Sequence, residues 1–322
     1  KYLAQAIESI LNQTFKDFDF LIINDGSTDS SESIINRYED ERIRYIYNPK
    51  NLKLIATLNK GLQLANGKYI ARMDADDIAE PERLQHQVDF MEINPDVGVC
   101  GTWFESFGQS SSIVKYPTTD NGRRFMSLYQ CPFCQPSVML RKEVLRRHEL
   151  EFSFDYPHAE DYEFWLRIGR FTKLRNLPIV LLRYRQHDES VSVTESDTQV
   201  KKSLSIRKQF FHEVGVEASD SELELFRRMN YHDGNLTKSE ISELGNFLTR
   251  IGAKNRESGF IEPDWFEKQL IEKWYGSCMN HTEFGMHTFF TFWAVQKEVN
   301  AGKLNFGLFK LFLKSLIRHS NK

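Results

Sequence analysis

The sequence predicts an α/β protein, with a mostly parallel sheet covered on both faces by helices and a C-terminal helical appendage. Three observations carry that expectation. Short, apolar, β-rich runs alternate with segments of helical period as far as about residue 195, and strands separated by helices imply parallel pairing between helical layers. Beyond about Thr194 the strand signals stop and only helical patterns continue. The length, 322 residues, suits two domains or one large domain with an appendage. The expected division is 1–195 and 196–322.

Residues 1–13, KYLAQAIESILNQ, read as an amphipathic helix, with Leu3, Ile7, Ile10 and Leu11 at helical spacing. An α/β domain usually opens with a strand, so the chain is expected to begin just after one. Phe18 to Ile23 is the next strand, ending in Asn24-Asp25-Gly26-Ser27, and Ile34, Ile35 and Tyr38 mark the helix after it. RIRYIYN is a strand, Leu52 to Ala65 a helix and GKYIARM a strand. A helix restarts at Pro81, a favoured first-turn residue, and VGVCGTWF follows as a strand. PSVMLRKEVL reads as a strand entering a helical turn. AEDYEFWLRIGR is a helix with Tyr162, Trp165, Leu166 and Ile168 on its apolar side, and LPIVLLRYRQHDESVS is a strand running into a polar loop. Trp103 and Trp165 are expected in the core.

In such sheets ligands bind beyond the carboxyl ends of the strands. Both Asn24-Asp25-Gly26 and Asp74-Ala75-Asp76-Asp77 follow strands, so two acidic loops are expected to converge on one crevice. The second is notable for three aspartates within four positions. A solvated turn explains it, and so does a site that holds a metal against a phosphate.

Composition narrows the classes. A chain 40% hydrophobic and 27% charged is ordinary for a soluble protein. A net charge of -3 with no long basic run argues against nucleic acid as partner. Of the four cysteines, Cys131 and Cys134 form CPFC, but no second pair completes a metal site, so a structural or incidental role is expected. No segment approaches the uncharged apolar length of a bilayer span, and no signal peptide is recognisable, so the cytosolic side of a cell is the expected location.

NDGSTDSS, NKGLQLANGKYIARMDADD, AEDYEFWLRI and RYRQHDESVS occur in one order over about residues 1–195. In that combination the chain resembles the inverting family 2 glycosyltransferases, and the resemblance implies the GT-A fold, a Rossmann-like sheet. It implies a UDP-sugar or other nucleotide-sugar donor, a Mn²⁺ or Mg²⁺ ion, and a saccharide or undecaprenyl-linked acceptor. On that resemblance Asp76 is a metal ligand, and Asp74 serves the ribose or the metal shell. Asp77 supports the loop or reaches the sugar. Asp25 accepts a hydrogen bond from the nucleobase, while Asn24 stands where aspartate is usual. Asn59 and Lys60 lie on the donor side, with lysine where many members have arginine, so the planar fork is lost. Asp161 is the candidate base for the acceptor hydroxyl and Glu160 orients the site or binds acceptor. Acidic residues there also suit a helix N-terminus. His187 ligates the metal or touches the diphosphate, with Ser190 in the same loop, and Arg183 or Arg185 offsets the diphosphate charge. The glutamine-rich arginine-tryptophan motif and membrane helices of processive members are lacking, which implies addition of one sugar, or a few, per acceptor.

The tail, NFGLFKLFLKSLIRHSNK, combines Phe306, Leu308, Phe309, Leu311, Phe312 and Leu316 with Lys310, Lys314, Arg318 and Lys322. Such a helix lies in an anionic membrane interface or packs on its neighbours. Two other functions use similar sequence features: a nucleotidyltransferase, and a non-catalytic sugar-nucleotide-binding partner in a polysaccharide assembly complex. Oligomeric state, the donor's base and sugar, and the acceptor linkage have no signal in the sequence.

Overall fold

A computed structural model describes residues 1–187, 196–231, 235–299 and 306–320, with the side chains of 196, 306–309 and 318–320 excepted. Ser190 and Lys322 lie outside the described residues. The chain divides into two compact units, Lys1–Arg123 with Cys131–Ser203, and Arg124–Gln130 with Leu204–Lys322.

The first unit opens with α1 (Leu3–Leu11), β1 (Phe20–Asn24), α2 (Ser31–Ile35), β2 (Ile43–Tyr47), α3 (Leu54–Leu64) and β3 (Tyr69–Ala71). It continues with β4 (Ile78–Ala79), α4 (Arg83–Ile93), β5 (Val97–Gly108), β6 (Ser112–Val114), the start of α5 (Asp120–Met126), β7 (Met139–Arg141), α6 (Lys142–Arg147), α7 (Glu160–Ile168) and β8 (Lys173–Gln186). β1 and β2 form a parallel pair. The larger sheet has the order β3-β7-β5-β8-β4, with β6 added to β5. Within it β5 and β8 are parallel, while β7 is antiparallel to β3 and β5 and β4 is antiparallel to β8. The helix-flanked sheet matches the expected class, although its strand directions are mixed. β4 was not legible in the sequence because two residues are too few to show a period.

Strand alternation builds the two-sided core. Val99 faces Leu140 and Cys100 faces Met139 across the β5–β7 pairing. Because successive side chains point to opposite faces, Val99 and Leu140 join one apolar cluster with Phe133, Phe164, Trp165 and Ile168. Cys100 and Met139 join the other, with Leu84, Met91 and Leu177. Trp165 is fully buried, as expected of a core residue. The Trp103 indole is partly buried, its Nε1 donating to the Tyr116 carbonyl at 2.8 Å.

The second unit is helical: α8 (Ser196–Glu213) enters it, followed by α9 (Asp220–Tyr231), α10 (Lys238–Ser258), α11 (Pro263–Asn280), α12 (Met286–Val299) and α13 (Phe306–Ser320). Phe211, Phe226, Phe247 and Trp274 are fully buried there. Phe125 packs its ring edge-on against Phe226 and Phe266, which explains why a short stretch near 125 joins this unit. Thr237 and Glu240 close a capping box on α10, and Gly259 ends that helix at φ 61°. Among the described residues no helix is long and apolar enough to cross a membrane.

Candidate active site

The acidic loop leaves the carboxyl end of β3, at one edge of the sheet, and joins β4 at the other edge. It therefore passes the strand ends where ligands gather in such folds. Asp74, Asp76 and Asp77 each bring one carboxylate oxygen to within 4.8 Å of the others. Asp77 is buried; its Oδ1 accepts from the Arg185 backbone N–H at 2.8 Å, while its buried Oδ2 has no partner among the described residues. Burial, then the charge of Asp74, pushes its carboxyl up to about 8. His187, just past β8, places Nε2 2.9 Å from Asp76 Oδ2, and its buried Nδ1 lacks a partner among the described residues.

Two arginines hold the loop from the protein side. Arg83 is fully buried; its Nη2 donates to the Arg72 carbonyl at 2.7 Å and its Nε to Gln87 Oε1 at 3.1 Å. Burial lowers its guanidinium to about 10. Arg185 donates from Nε to the Asp76 carbonyl at 2.7 Å and from Nη2 to Gln5 Oε1 at 2.6 Å. Its guanidinium also stacks over the Tyr2 and Phe107 rings, 4.0 and 4.4 Å from their centroids.

Arg72 connects this loop to the N-terminus of α7. Its Nη1 pairs with Asp74 Oδ2. Desolvation opposes its charge, yet the carboxylates of Asp74, Asp161 and Asp77 hold its pKa above the ordinary value. Reciprocally, its charge acts on both Glu160 and Asp161. These groups therefore share one electrostatic field. Glu160 is buried with Oε2 unpartnered among the described residues, and burial followed by the charge of Asp161 raises its carboxyl. Asp161 is raised by burial too, against hydrogen bonds that include one from the Tyr162 N–H at 2.7 Å.

The CPFC segment lies between the two acidic groups. The Cys131 thiol donates to Asp161 Oδ2 at 3.6 Å, and the charges of Asp77 and Asp74 act on Cys134. Burial, with these carboxylates, raises both thiols well above their ordinary value. All four cysteines are free.

A second polar network is built on β1, β2 and α3. Asp25 accepts from Asn48 Nδ2 at 2.8 Å and from the Leu52 N–H at 2.9 Å, and the Lys60 ammonium donates to Asn48 Oδ1. Burial works against the Asp25 charge, but these hydrogen bonds keep its carboxyl below the ordinary value. Asn24 is buried: its Oδ1 accepts the Ser27 N–H at 2.9 Å while its Nδ2 donates to the Tyr45 hydroxyl at 3.0 Å. Two expected donor-side residues lie elsewhere. The buried amide of Asn59 exchanges two hydrogen bonds with the Phe152 backbone, at 2.9 and 2.8 Å. Arg183 stacks on Phe107 and lies 3.7 Å from Glu105, so Arg185 is the arginine that reaches the acidic loop. Sequence reading missed Arg72, Arg83 and the CPFC position. For Arg72 the local signal was its charge two positions before Asp74.

A GT-A-like sheet carrying a triple-aspartate loop at its strand ends fits the class of nucleotide-sugar-dependent glycosyltransferases. Residues 1–149 match glycosyl transferase family 2. An uncharacterized glycosyltransferase of Haemophilus influenzae is 34% identical over 234 residues, covering 67% of this chain and 72% of that protein. The chain belongs to the glycosyltransferase superfamily that comprises family 2 and the GT-A fold, and is an enzyme of that kind. The UDP-Glc:alpha-D-GlcNAc-diphosphoundecaprenol beta-1,3-glucosyltransferase WfaP of Escherichia coli is 29% identical over 215 residues, 66% of this chain and 81% of WfaP. Among solved structures, Staphylococcus aureus TarS 1–349 in complex with UDP-GlcNAc shares the fold, with a TM-score of 0.54 at 14% identity over 99% of this chain and 88% of that one.

Proposed function

We propose that this enzyme transfers one sugar, or a few, with inversion from a nucleotide-sugar donor to a saccharide or lipid-linked saccharide acceptor, with a divalent metal. The observation that carries the reading is the close set of Asp74, Asp76 and Asp77 oxygens in a family 2 chain. The donor set fits Mn²⁺ or Mg²⁺: hard carboxylate oxygens, an imidazole beside Asp76, and a buried Asp77 oxygen without a partner among the described residues. Asp76 and Asp74 would hold the ion, with His187 beside them, and it would neutralise charge on the departing diphosphate.

The chain's own groups do the rest. Asp161 takes the acceptor hydroxyl proton, because its raised affinity for protons makes it a better base than an ordinary aspartate. Glu160, one residue earlier, orients the acceptor. Arg72 keeps both carboxylates compatible with the acidic loop by lying within reach of their charges. The Asp25–Asn48–Lys60 network suits a nucleobase edge, where Asp25 accepts an imide N–H such as that of uracil. The name of the WfaP relative, with a UDP-sugar donor and a diphosphoundecaprenol-linked acceptor, supports a donor and acceptor of those kinds. The catalytic groups all belong to the sequence region 1–195.

Calorimetry of the protein against UDP-, GDP- and TDP-sugars, with and without Mn²⁺, tests the reading. Binding of one donor that needs Mn²⁺ and disappears in Asp76→Asn is expected, with sugar transfer once an acceptor is supplied. Donor binding without turnover on any acceptor would make the chain a non-catalytic partner. Absence of donor binding by folded protein would remove the metal-site assignment.

A further inference from the structure

We infer that the outer faces of α12 and α13 form a docking surface for an anionic lipid bilayer. The two helices meet through Phe289 and Phe312, whose ring centroids lie 5.1 Å apart. Their inner faces are closed: Phe292 and Val295 on α12, and Leu311 on α13, are buried. The outer faces are apolar instead of polar. Phe290 and Trp293 are exposed at i, i+3 spacing on α12, and Leu313, Leu316 and Ile317 are exposed at i, i+3, i+4 spacing on α13, with Ile317 61% exposed. Helical spacing gathers each set into one stripe. Large apolar side chains grouped on a surface mark a place where something else covers them.

Charge identifies the occupant. The whole chain carries -3, yet the segment 306–322 holds Lys310, Lys314, Arg318 and Lys322 and no Asp or Glu. Lys310 is exposed on the side of Leu313 and Ile317. Lys297 of α12 lies 5.9 Å from the Trp293 ring, while the Lys314 ammonium bonds the Met279 carbonyl at 2.9 Å. Glu298, next to Lys297, is exposed as well. Exposed Phe, Trp, Leu and Ile flanked by lysines match the interface of an anionic bilayer, where apolar groups enter the acyl boundary and ammonium groups meet phosphates. Among the described residues neither helix is apolar and long enough to cross, and the proposed contact is with the bilayer surface. The tail helix thus acts together with α12, whose contribution the sequence pattern did not announce.

The test is independent of sugar transfer, because it uses neither donor nor acceptor. The full chain is sedimented with sucrose-loaded vesicles of phosphatidylglycerol and phosphatidylcholine, or of phosphatidylcholine alone. The expected result is binding to the anionic vesicles at least about tenfold tighter than to neutral ones, weakened by salt. Leu313→Glu with Ile317→Glu abolishes it, and Lys310→Glu reduces it about tenfold by charge alone. Circular dichroism checks that each variant folds, and the exposed Lys310 position provides the readout should the double variant fail. Equal binding to both vesicle types, no binding, or binding unchanged in folded variants would overturn the proposal. A dimer in light scattering that Ile317→Glu dissociates, without vesicle binding, would assign the face to a second copy and overturn it equally.

Discussion

At the scale of residues, the site is a set of carboxylates whose mutual repulsion the Arg72 charge offsets. Glu160 is buried beside Asp161, and both are raised above their ordinary values of 4.5 and 3.8. As the proposed base, Asp161 therefore loses its proton at higher pH than a free aspartate. In kcat against pH the acid limb is expected above that range, and Glu160→Gln leaves it in place because Asp161 already ionises beside a protonated Glu160. The stability sign follows from the same shift. A carboxyl with a raised folded pKa favours the fold while protonated, so its contribution falls as pH rises from 4.5 through the folded value. Glu160→Gln should gain on the wild type in thermal unfolding between about pH 5 and about pH 8. Asp161→Asn is expected to lower kcat by about 10²–10⁴-fold with little change in donor KM, measured by steady-state kinetics on a matched acceptor.

At the scale of elements, the sites depend on turns that hold carboxylates at strand ends. Gly26 sits at φ 70°, and a Cβ there would lie 2.9 Å from the Asn51 backbone N. Gly26→Ala forces both a left-handed L-residue and a backbone clash, so it should cost at least about 1–2 kcal/mol. A urea midpoint measures that cost, and a rise in donor KM reports loosening of Asp25. The acidic loop is held otherwise. Arg83 reaches from α4 to the Arg72 carbonyl and Arg185 from β8 to the Asp76 carbonyl, so two distant elements fix its path.

At the scale of the molecule, one sheet separates two apolar clusters, and the helical unit has its own aromatic core. Trp165 lies at the centre of the first cluster, its ring 5.6 Å from Phe133 and 5.3 Å from Phe164. Trp165→Ala leaves a cavity in a side of the sheet that also seats α7, so a loss of about 3–5 kcal/mol is expected in denaturant unfolding. Because α7 carries Glu160 and Asp161, the same variant should lower kcat more than it raises donor KM. The uneven charge of the tail against the chain's overall -3 is a property of this scale too.

The sequence by itself determined the alternation of strands and helices, the helical end and the acidic loop. Each is written in local order, where apolar period or residues within four positions set the structure and the chemistry. Asp74, Asp76 and Asp77 are brought together by chain neighbourhood alone, and Asp25 is placed by the turn after β1. Only the tertiary structure decided what those groups meet. Arg72 joins the loop to α7 across some ninety residues of chain. The CPFC thiols come between the acidic groups, Asn59 turns to the Phe152 backbone, and Arg185 rather than Arg183 reaches Asp76. The physical reason is that burial and Coulomb interaction depend on distance in space, which local sequence patterns do not encode.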